Sequence, residues 1–182
     1  MKTLIINGSP RRNGDTAFLL SELKRRLDGE VTELDAYRSK ISPCIDCRKC
    51  QERKGCVIED DMRLIYDDGF DNVVIASPLY MSCLTPPLMS IASRFQVYYC
   101  AKRFLKDEFR TAPKKGGLIL VGGGDGRPTP AINTAEWMFK KMNAQGYREH
   151  RAFSLKTDEI PACEDAEAIE KVLEIAYYFN GG

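Results

Sequence analysis

A chain of 182 residues supplies apolar core for one domain, and a net charge of +1 gives it no global field for a nucleic acid or a membrane surface. No apolar run is long enough to span a bilayer, and the opening MKTLIINGSP has neither the apolar stretch nor the cleavage site of a secretory signal, which implies a cytoplasmic protein. Four of the seven cysteines crowd into residues 44–56, and in a reducing compartment such a cluster reads as metal, iron–sulfur or redox chemistry, not as a disulfide scaffold.

Taken in chain order, Thr3, Leu4, Ile5 and Ile6 form a buried strand that runs into Asn7-Gly8-Ser9-Pro10. Beyond Thr16 the spacing of Ala17, Leu20, Leu23 and Leu27 is helical. Residues 8–16 thus join a strand to a helix N-terminus, where unpaired backbone N–H groups and the positive end of the helix dipole favour an anion. The hydroxyls of Ser9 and Thr16, the amide of Asn13 and the guanidinium groups of Arg11 and Arg12 suit phosphate oxygens. The plainer alternative is an ordinary turn with Ser9 or Asp15 capping the helix, although such a turn does not require two arginines. A nucleotide P-loop is excluded by the spacing, since five residues separate Gly8 from Gly14 and Asp15 stands at the lysine position; the dinucleotide pattern Gly-x-Gly-x-x-Gly is absent too. A terminal phosphate monoester such as that of FMN fits better, bound at the carboxyl ends of the strands of a 2-1-3-4-5 sheet.

A short strand is predicted at 31–34, followed by a cysteine-rich segment, 38–58, too long for a mere connection and therefore expected to fold back over the site rim or a partner subunit. Glu59-Asp60-Asp61 reads as the start of a helix. A buried strand at 73–76 ends in Ser77-Pro78-Leu79-Tyr80, and Thr85-Pro86-Pro87 opens a helix whose stripe is Leu88, Ile91, Ala92, Phe95 and Tyr99. A strand at 118–121 precedes the glycine run 122–126. A helix at 131–145 stopping at Gly146, a last strand near 147–155 and a helix at 164–179 complete five β/α units in a single domain. This alternation implies an α/β fold with a parallel sheet covered on both faces. Three loops, 8–16, 77–81 and 122–126, then open at one rim, with Tyr80 and Met81 as ring neighbours and glycines such as Gly123 and Gly124 allowing close approach of a flat ligand.

Ile6-Asn7-Gly8-Ser9-Pro10-Arg11 with Asn13-Gly14 and Thr16, Cys44-Ile45-Asp46-Cys47-Arg48-Lys49-Cys50 with Cys56, Asp60-Asp61-Met62 and Ser77-Pro78-Leu79-Tyr80 together resemble the NAD(P)H-dependent FMN reductases of the flavodoxin-like superfamily, closest to the branch of iron–sulfur flavoproteins from anaerobes. The resemblance covers the first half by motif and the rest by its strand–helix rhythm. It implies a flavodoxin-like three-layer sandwich with a five-stranded parallel sheet in order 2-1-3-4-5, and a homodimer or tetramer. It also implies FMN held by Ser9, Arg11, Asn13 and Thr16 at the phosphate and by Pro78, Leu79, Tyr80 and Met81 along the ring. In the iron–sulfur branch, cysteines spaced as Cys44, Cys47, Cys50 and Cys56 hold a 4Fe–4S cluster, while other relatives keep such cysteines without one; zinc is the remaining alternative.

These readings point to an FMN-dependent oxidoreductase that passes electrons from NAD(P)H to a small acceptor such as a flavin, a quinone or a nitroaromatic, the flavin supplying the chemistry. The alternative is an electron carrier fed by ferredoxin through a cluster; a net charge of +1 argues against a simple acidic carrier. Cys83, Cys100 and Cys163 are isolated and read as core or incidental, and no role falls to His150.

Overall fold

Continuous apolar runs in β1 (Lys2–Asn7), β3 (Asn72–Pro78) and β4 (Lys114–Val121) make strands buried on both faces, as a parallel sheet requires. In the computed structural model, which describes residues 1–107, 111–124 and 126–182, they lie side by side, with β2 (Glu30–Asp35) outside β1. The flavodoxin-like order 2-1-3-4-5 is the one expected. Its fifth position is shared by two short strands, β5 (Ala144–Gln145) and β6 (Arg151–Ser154), each parallel to β4.

Alternate residues of the sheet feed two cores. Ile5, Val74, Ala76, Ile119 and Val121 pack under α1 (Asp15–Lys24) and α6 (Ala166–Asn180). Leu4, Ile6, Val73, Ile75, Leu118 and Leu120 pack under α2 (Arg63–Tyr66), α3 (Pro86–Arg94), α4 (Gln96–Cys100) and α5 (Thr129–Lys141). Each such Leu, Ile or Val removed from water contributes about 1.5–3 kcal/mol, so the three-layer arrangement follows from the strand pattern. Among the described residues, no helix is long and apolar enough to cross a membrane.

The structure departs from the sequence reading where tertiary partners intervene. The helix starting at Pro86 loses its phase at Phe95 (φ −70°, ψ 0°), so α4 buries Val97, Tyr98 and Cys100 while Tyr99, expected in the stripe, is 47% exposed. The helix predicted to reach Gln145 stops at Lys141, because Asn143 turns into the left-handed region (φ 54°) and releases Ala144 to pair with β4. The last strand is only β6, since Gly146 (φ 72°) starts a turn in which the Gly146 carbonyl accepts from the His150 N–H.

Glu59-Asp60-Asp61 leads into a single helical turn, α2, because the two aspartates serve the cysteine-rich segment. Asp61 accepts from the Lys40 N–H at 2.7 Å, and Asp60 from the N–H groups of Ser42 and Met62 at 3.0 and 3.1 Å. Asp60 also meets Arg94, a guanidinium only 1% exposed at the end of α3. Arg94 Nη1 donates to Asp60 Oδ2 (2.6 Å) and the Ser42 carbonyl (2.9 Å); Nη2 donates to Asp60 Oδ1 (3.3 Å) and the Ile58 carbonyl (3.1 Å).

Burial acts to raise the Asp60 pKa, but hydrogen bonds from Arg94 and from the Ser42 and Met62 amides outweigh it and hold the carboxyl below its ordinary range. A depressed carboxylate contributes stability that is present above the unfolded-state pKa of about 4 and is lost as pH falls through the folded value. Asp60→Asn is therefore expected to cost roughly 3–5 kcal/mol at neutral pH, because it strands a buried guanidinium. Urea unfolding at pH 7 and pH 3 is the check: the loss shrinks at the lower pH if the ion pair is its source.

Candidate functional site

β1 delivers Asn7 to the carboxyl rim of the sheet, where its backbone and side chain set the first loop. The Asn7 carbonyl accepts from the Ala36 N–H, its Oδ1 accepts from the Ser9 N–H at 2.9 Å, and its Nδ2 donates to Glu33 at 2.8 Å. Ser9 Oγ closes the turn by accepting from the Arg11 N–H and donating to the Arg11 carbonyl. The loop hands over to α1 at Gly14, and no side chain caps that helix. Asp15, a cap candidate from sequence, instead accepts from the Ala162 N–H at 2.9 Å.

The loop is backed by α3. Thr85 Oγ1 donates to the Gly8 carbonyl at 2.9 Å, and a Cβ at Gly8 would lie 2.3 Å from Leu88 Cδ1 and 2.9 Å from Thr85 Oγ1. Glycine is thus required at position 8 by the close approach of α3.

A cavity of about 210 Å³ opens at this rim. Ser9, Arg11, Gly14 and Thr16 line one end; Pro78, Leu79, Tyr80, Gly122 and Gly123 line the other. The three strand-end loops singled out from sequence therefore share one cavity. Three predicted residues stand outside its lining: Asn13 is exposed, Gly124 lies one residue beyond, and Met81 is 96% exposed. Asp125, part of the glycine run, falls outside the described residues. Met81 (φ 51°) and Ser82 (φ 64°) form the tip of a tight turn closed by paired backbone hydrogen bonds between Tyr80 and Cys83. Two successive non-glycine residues in the left-handed region store strain beside the site.

Thr157 and Asp158 complete the lining and were not visible in the sequence. Their N–H groups donate to the Gly122 and Gly123 carbonyls at 2.9 and 3.0 Å, and the Asp158 carboxylate fills the space a Cβ at Gly123 would need, 2.5 Å away. The glycine at 123 admits Asp158 to the rim. Tyr37 also reaches this region beside Tyr80 and Thr85; burial, then the Tyr80 hydroxyl, raise its pKa above the usual phenol value.

The cysteine-rich segment leaves β2 at the rim, where Arg38 Nη2 donates to the Pro10 carbonyl at 3.2 Å, and then runs to the far end of α3, where the Cys44 N–H donates to Ser93 Oγ at 2.9 Å. Nine residues of α3 separate the two places by roughly 13 Å, at about 1.5 Å per residue. Cys44, Cys47, Cys50 and Cys56 line one small cavity of about 30 Å³ there, with Arg94, Val97 and Cys100 as its inner wall. Cys44 and Cys47 are exposed, and Cys50 and Cys56 half-buried. Burial, reinforced by the neighbouring Cys100, pushes the Cys50 thiol up to about 12, so it is protonated at neutral pH. Among the described residues no three Cys, His, Asp or Glu side chains converge on one metal-ion position, an arrangement that offers no ready mononuclear zinc site.

The profile of the NADPH-dependent FMN reductase family matches residues 1–166. The chain is 32% identical to an iron–sulfur flavoprotein of Methanocaldococcus jannaschii over 127 residues, 67% of this chain and 62% of that protein. It is 30% identical to an iron–sulfur flavoprotein of Archaeoglobus fulgidus over 153 residues, 80% of this chain and 64% of that protein. It thus spans a little under two thirds of the length of these relatives. In fold it matches an FMN-dependent NADH-azoreductase of Bacillus anthracis solved in complex with FMN, with a TM-score of 0.67, 14% identity and 99% of each chain covered.

The contact between the first loop and α3 yields a direct test. Gly8→Ala is expected to cost about 1–3 kcal/mol by overpacking against Leu88. In a Leu88→Ala background that penalty should shrink to what the Thr85 hydroxyl contact at 2.9 Å still imposes, and denaturant unfolding of the four proteins of this cycle measures the coupling.

Proposed function

We propose, because the chain belongs to the NADPH-dependent FMN reductase family and its first rim loop brings Ser9, Arg11 and Thr16 to one cavity at an uncapped helix N-terminus, that it holds FMN at the carboxyl rim and passes electrons from NAD(P)H to a small acceptor such as a free flavin, a quinone or a nitroaromatic. The observation that carries this reading is the juxtaposition, in one cavity, of an uncapped helix N-terminus, two hydroxyls and Arg11 at one end with Pro78, Leu79, Tyr80 and the Gly122–Gly123 backbone at the other. A dianion and a flat ring have those two sets of needs.

In this reading Thr16, which is 2% exposed, presents its hydroxyl to the phosphate, Ser9 does so by exchanging its bond to the Arg11 carbonyl for one to a phosphate oxygen, and Arg11 supplies a guanidinium that is already exposed to solvent and so costs little to redirect. Asn13, outside the cavity lining, joins them by turning inward. Tyr80 and Leu79 bound the ring, and Met81, Gly124 and the strained turn lie where an acceptor enters. Asp158 and Thr157 set the polarity of the inner wall. FMN, when bound, supplies the two-electron chemistry, taking hydride from the nicotinamide and releasing electrons to the acceptor. The protein's task is to anchor, orient and shield. The homodimer or tetramer expected from the sequence belongs to the same proposal, with Met89, Tyr99, Phe104 and Trp137 as exposed apolar groups for a second copy.

A second reading, an iron–sulfur flavoprotein fed by ferredoxin, is favoured by one observation: Cys44, Cys47, Cys50 and Cys56 line a common cavity whose inner wall carries a buried N–H without a partner, Arg94 Nε. The donor set suits a cluster, in which each thiolate binds its own iron and need not converge on one point. A volume of about 30 Å³ is close to that of one water, so the exposed turn bearing Cys44 and Cys47 has to stand further out around a cluster.

Arg11→Ala and Thr16→Ala should each weaken FMN binding by roughly tenfold to a hundredfold, the worth of a hydrogen bond to a charged group. Titration of the apoprotein reads this, and unchanged affinity in both variants rejects the phosphate site. Stopped-flow mixing of FMN-loaded protein with NADH or NADPH without oxygen should bleach the flavin. Reduction by ferredoxin alone would replace the first reading by the second.

A further inference from the structure

Among the described residues Arg94 is the largest fully buried side chain, and it is charged. Four of its hydrogen bonds are accounted for by Asp60, Ser42 and Ile58, all through Nη1 and Nη2. Nε is left without a partner among the buried side-chain nitrogens and oxygens, a condition shared only with the Ser154 hydroxyl among the described residues. An unpaired buried N–H costs roughly 1–3 kcal/mol, and more on a charged group, so an acceptor placed against Nε in the adjoining cavity would be stabilising. The clamp on Asp60 also removes any freedom of the guanidinium to turn Nε elsewhere. The same side chain lines the cavity shared by Cys44, Cys47, Cys50 and Cys56.

Resting on the cluster reading of those cysteines, we propose that Arg94 is a positioning residue whose Nε–H donates to a sulfur of the iron–sulfur group they hold, and that it thereby raises the reduction potential of that group. The physics is that of a fixed donor beside a site that gains one electron. Reduction adds negative charge to thiolate and sulfide sulfurs, and a preset N–H of a guanidinium stabilises the reduced form more than the oxidised one. Asp60 neutralises most of the Arg94 charge, so the hydrogen bond, more than the net charge, is what the cavity receives. The exposed Arg48 and Lys49 face solvent and are screened, which leaves Arg94 as the desolvated donor of this wall.

The test uses protein prepared and reconstituted without oxygen with iron and sulfide, grown on arginine carrying 15N in the guanidino group. Pulsed electron paramagnetic resonance of the dithionite-reduced wild type should show a 15N coupling that is lost in Arg94→Lys. The reduction equilibrium constant of the cluster should fall roughly tenfold to a hundredfold in that variant. Asp60→Asn, which keeps Nε and unmasks the guanidinium charge, should shift it the opposite way. A role limited to bracing the fold would move both variants alike, and that result overturns the proposal. So does the absence of 15N coupling in the wild type, a measurement that needs no variant to fold. If the wild type takes up no iron at all, the cluster reading itself fails and this inference falls with it, an outcome distinct from a loaded cluster that ignores Arg94.

Discussion

The buried ion pair between Arg94 and Asp60 holds the part of this molecule that a flavodoxin-like sheet alone would not specify. Desolvating both charges is expensive, and the expense is offset because the Asp60 carboxylate accepts from the Ser42 and Met62 amides while the two terminal nitrogens of Arg94 donate to the Ser42 and Ile58 carbonyls. Through those bonds a segment with little regular structure is fixed at Ser42, Ile58 and Asp60 onto the end of α3. The four clustered cysteines lie between the first two of these attachments, so their shared cavity is a consequence of the pair.

α3 then links two chemistries. Its first turn presses Thr85 and Leu88 against Gly8 and so shapes the loop at the mouth of α1, while its last turn presents Arg94 to the thiols. A rigid element between the two cavities means that a change in packing at either end reaches the other by contact. The rim itself owes its position to the parallel sheet, which carries the ends of β1, β3 and β4 to one side regardless of the loops attached to them.

Much of this was legible in the sequence because parallel strands buried on both faces are plain apolar runs, and because the switch from strand to helical spacing around Gly8 marks a rim loop. The convergence of the loops at Ser9, Pro78 and Gly122 follows from that alternation, whereas the order of the sheet rested on the resemblance to the flavodoxin-like reductases. Thr157 and Asp158 were illegible, since nothing local marks a turn after β6 as part of a site built some 150 residues earlier. Tyr99 was misplaced because a helix phase read past Phe95 cannot register the break there, which is set by packing. The acidic run at Asp60 has the composition of a helix start, and only the tertiary partner Arg94 shows why it is a clamp. Arg94 itself sits one residue before the stripe residue Phe95, where periodicity assigns a charge to solvent.

Anchoring through the phosphate is the claim on which the functional reading stands, and comparing FMN with riboflavin isolates it, because the two share the ring and differ in the phosphate. Titrating apoprotein with each, followed by the quenching of flavin fluorescence, should give riboflavin an affinity at least roughly a hundredfold weaker, as expected when several charge-assisted hydrogen bonds are lost. Equal affinities for the two flavins would contradict phosphate anchoring and leave the loop between β1 and α1 an ordinary turn.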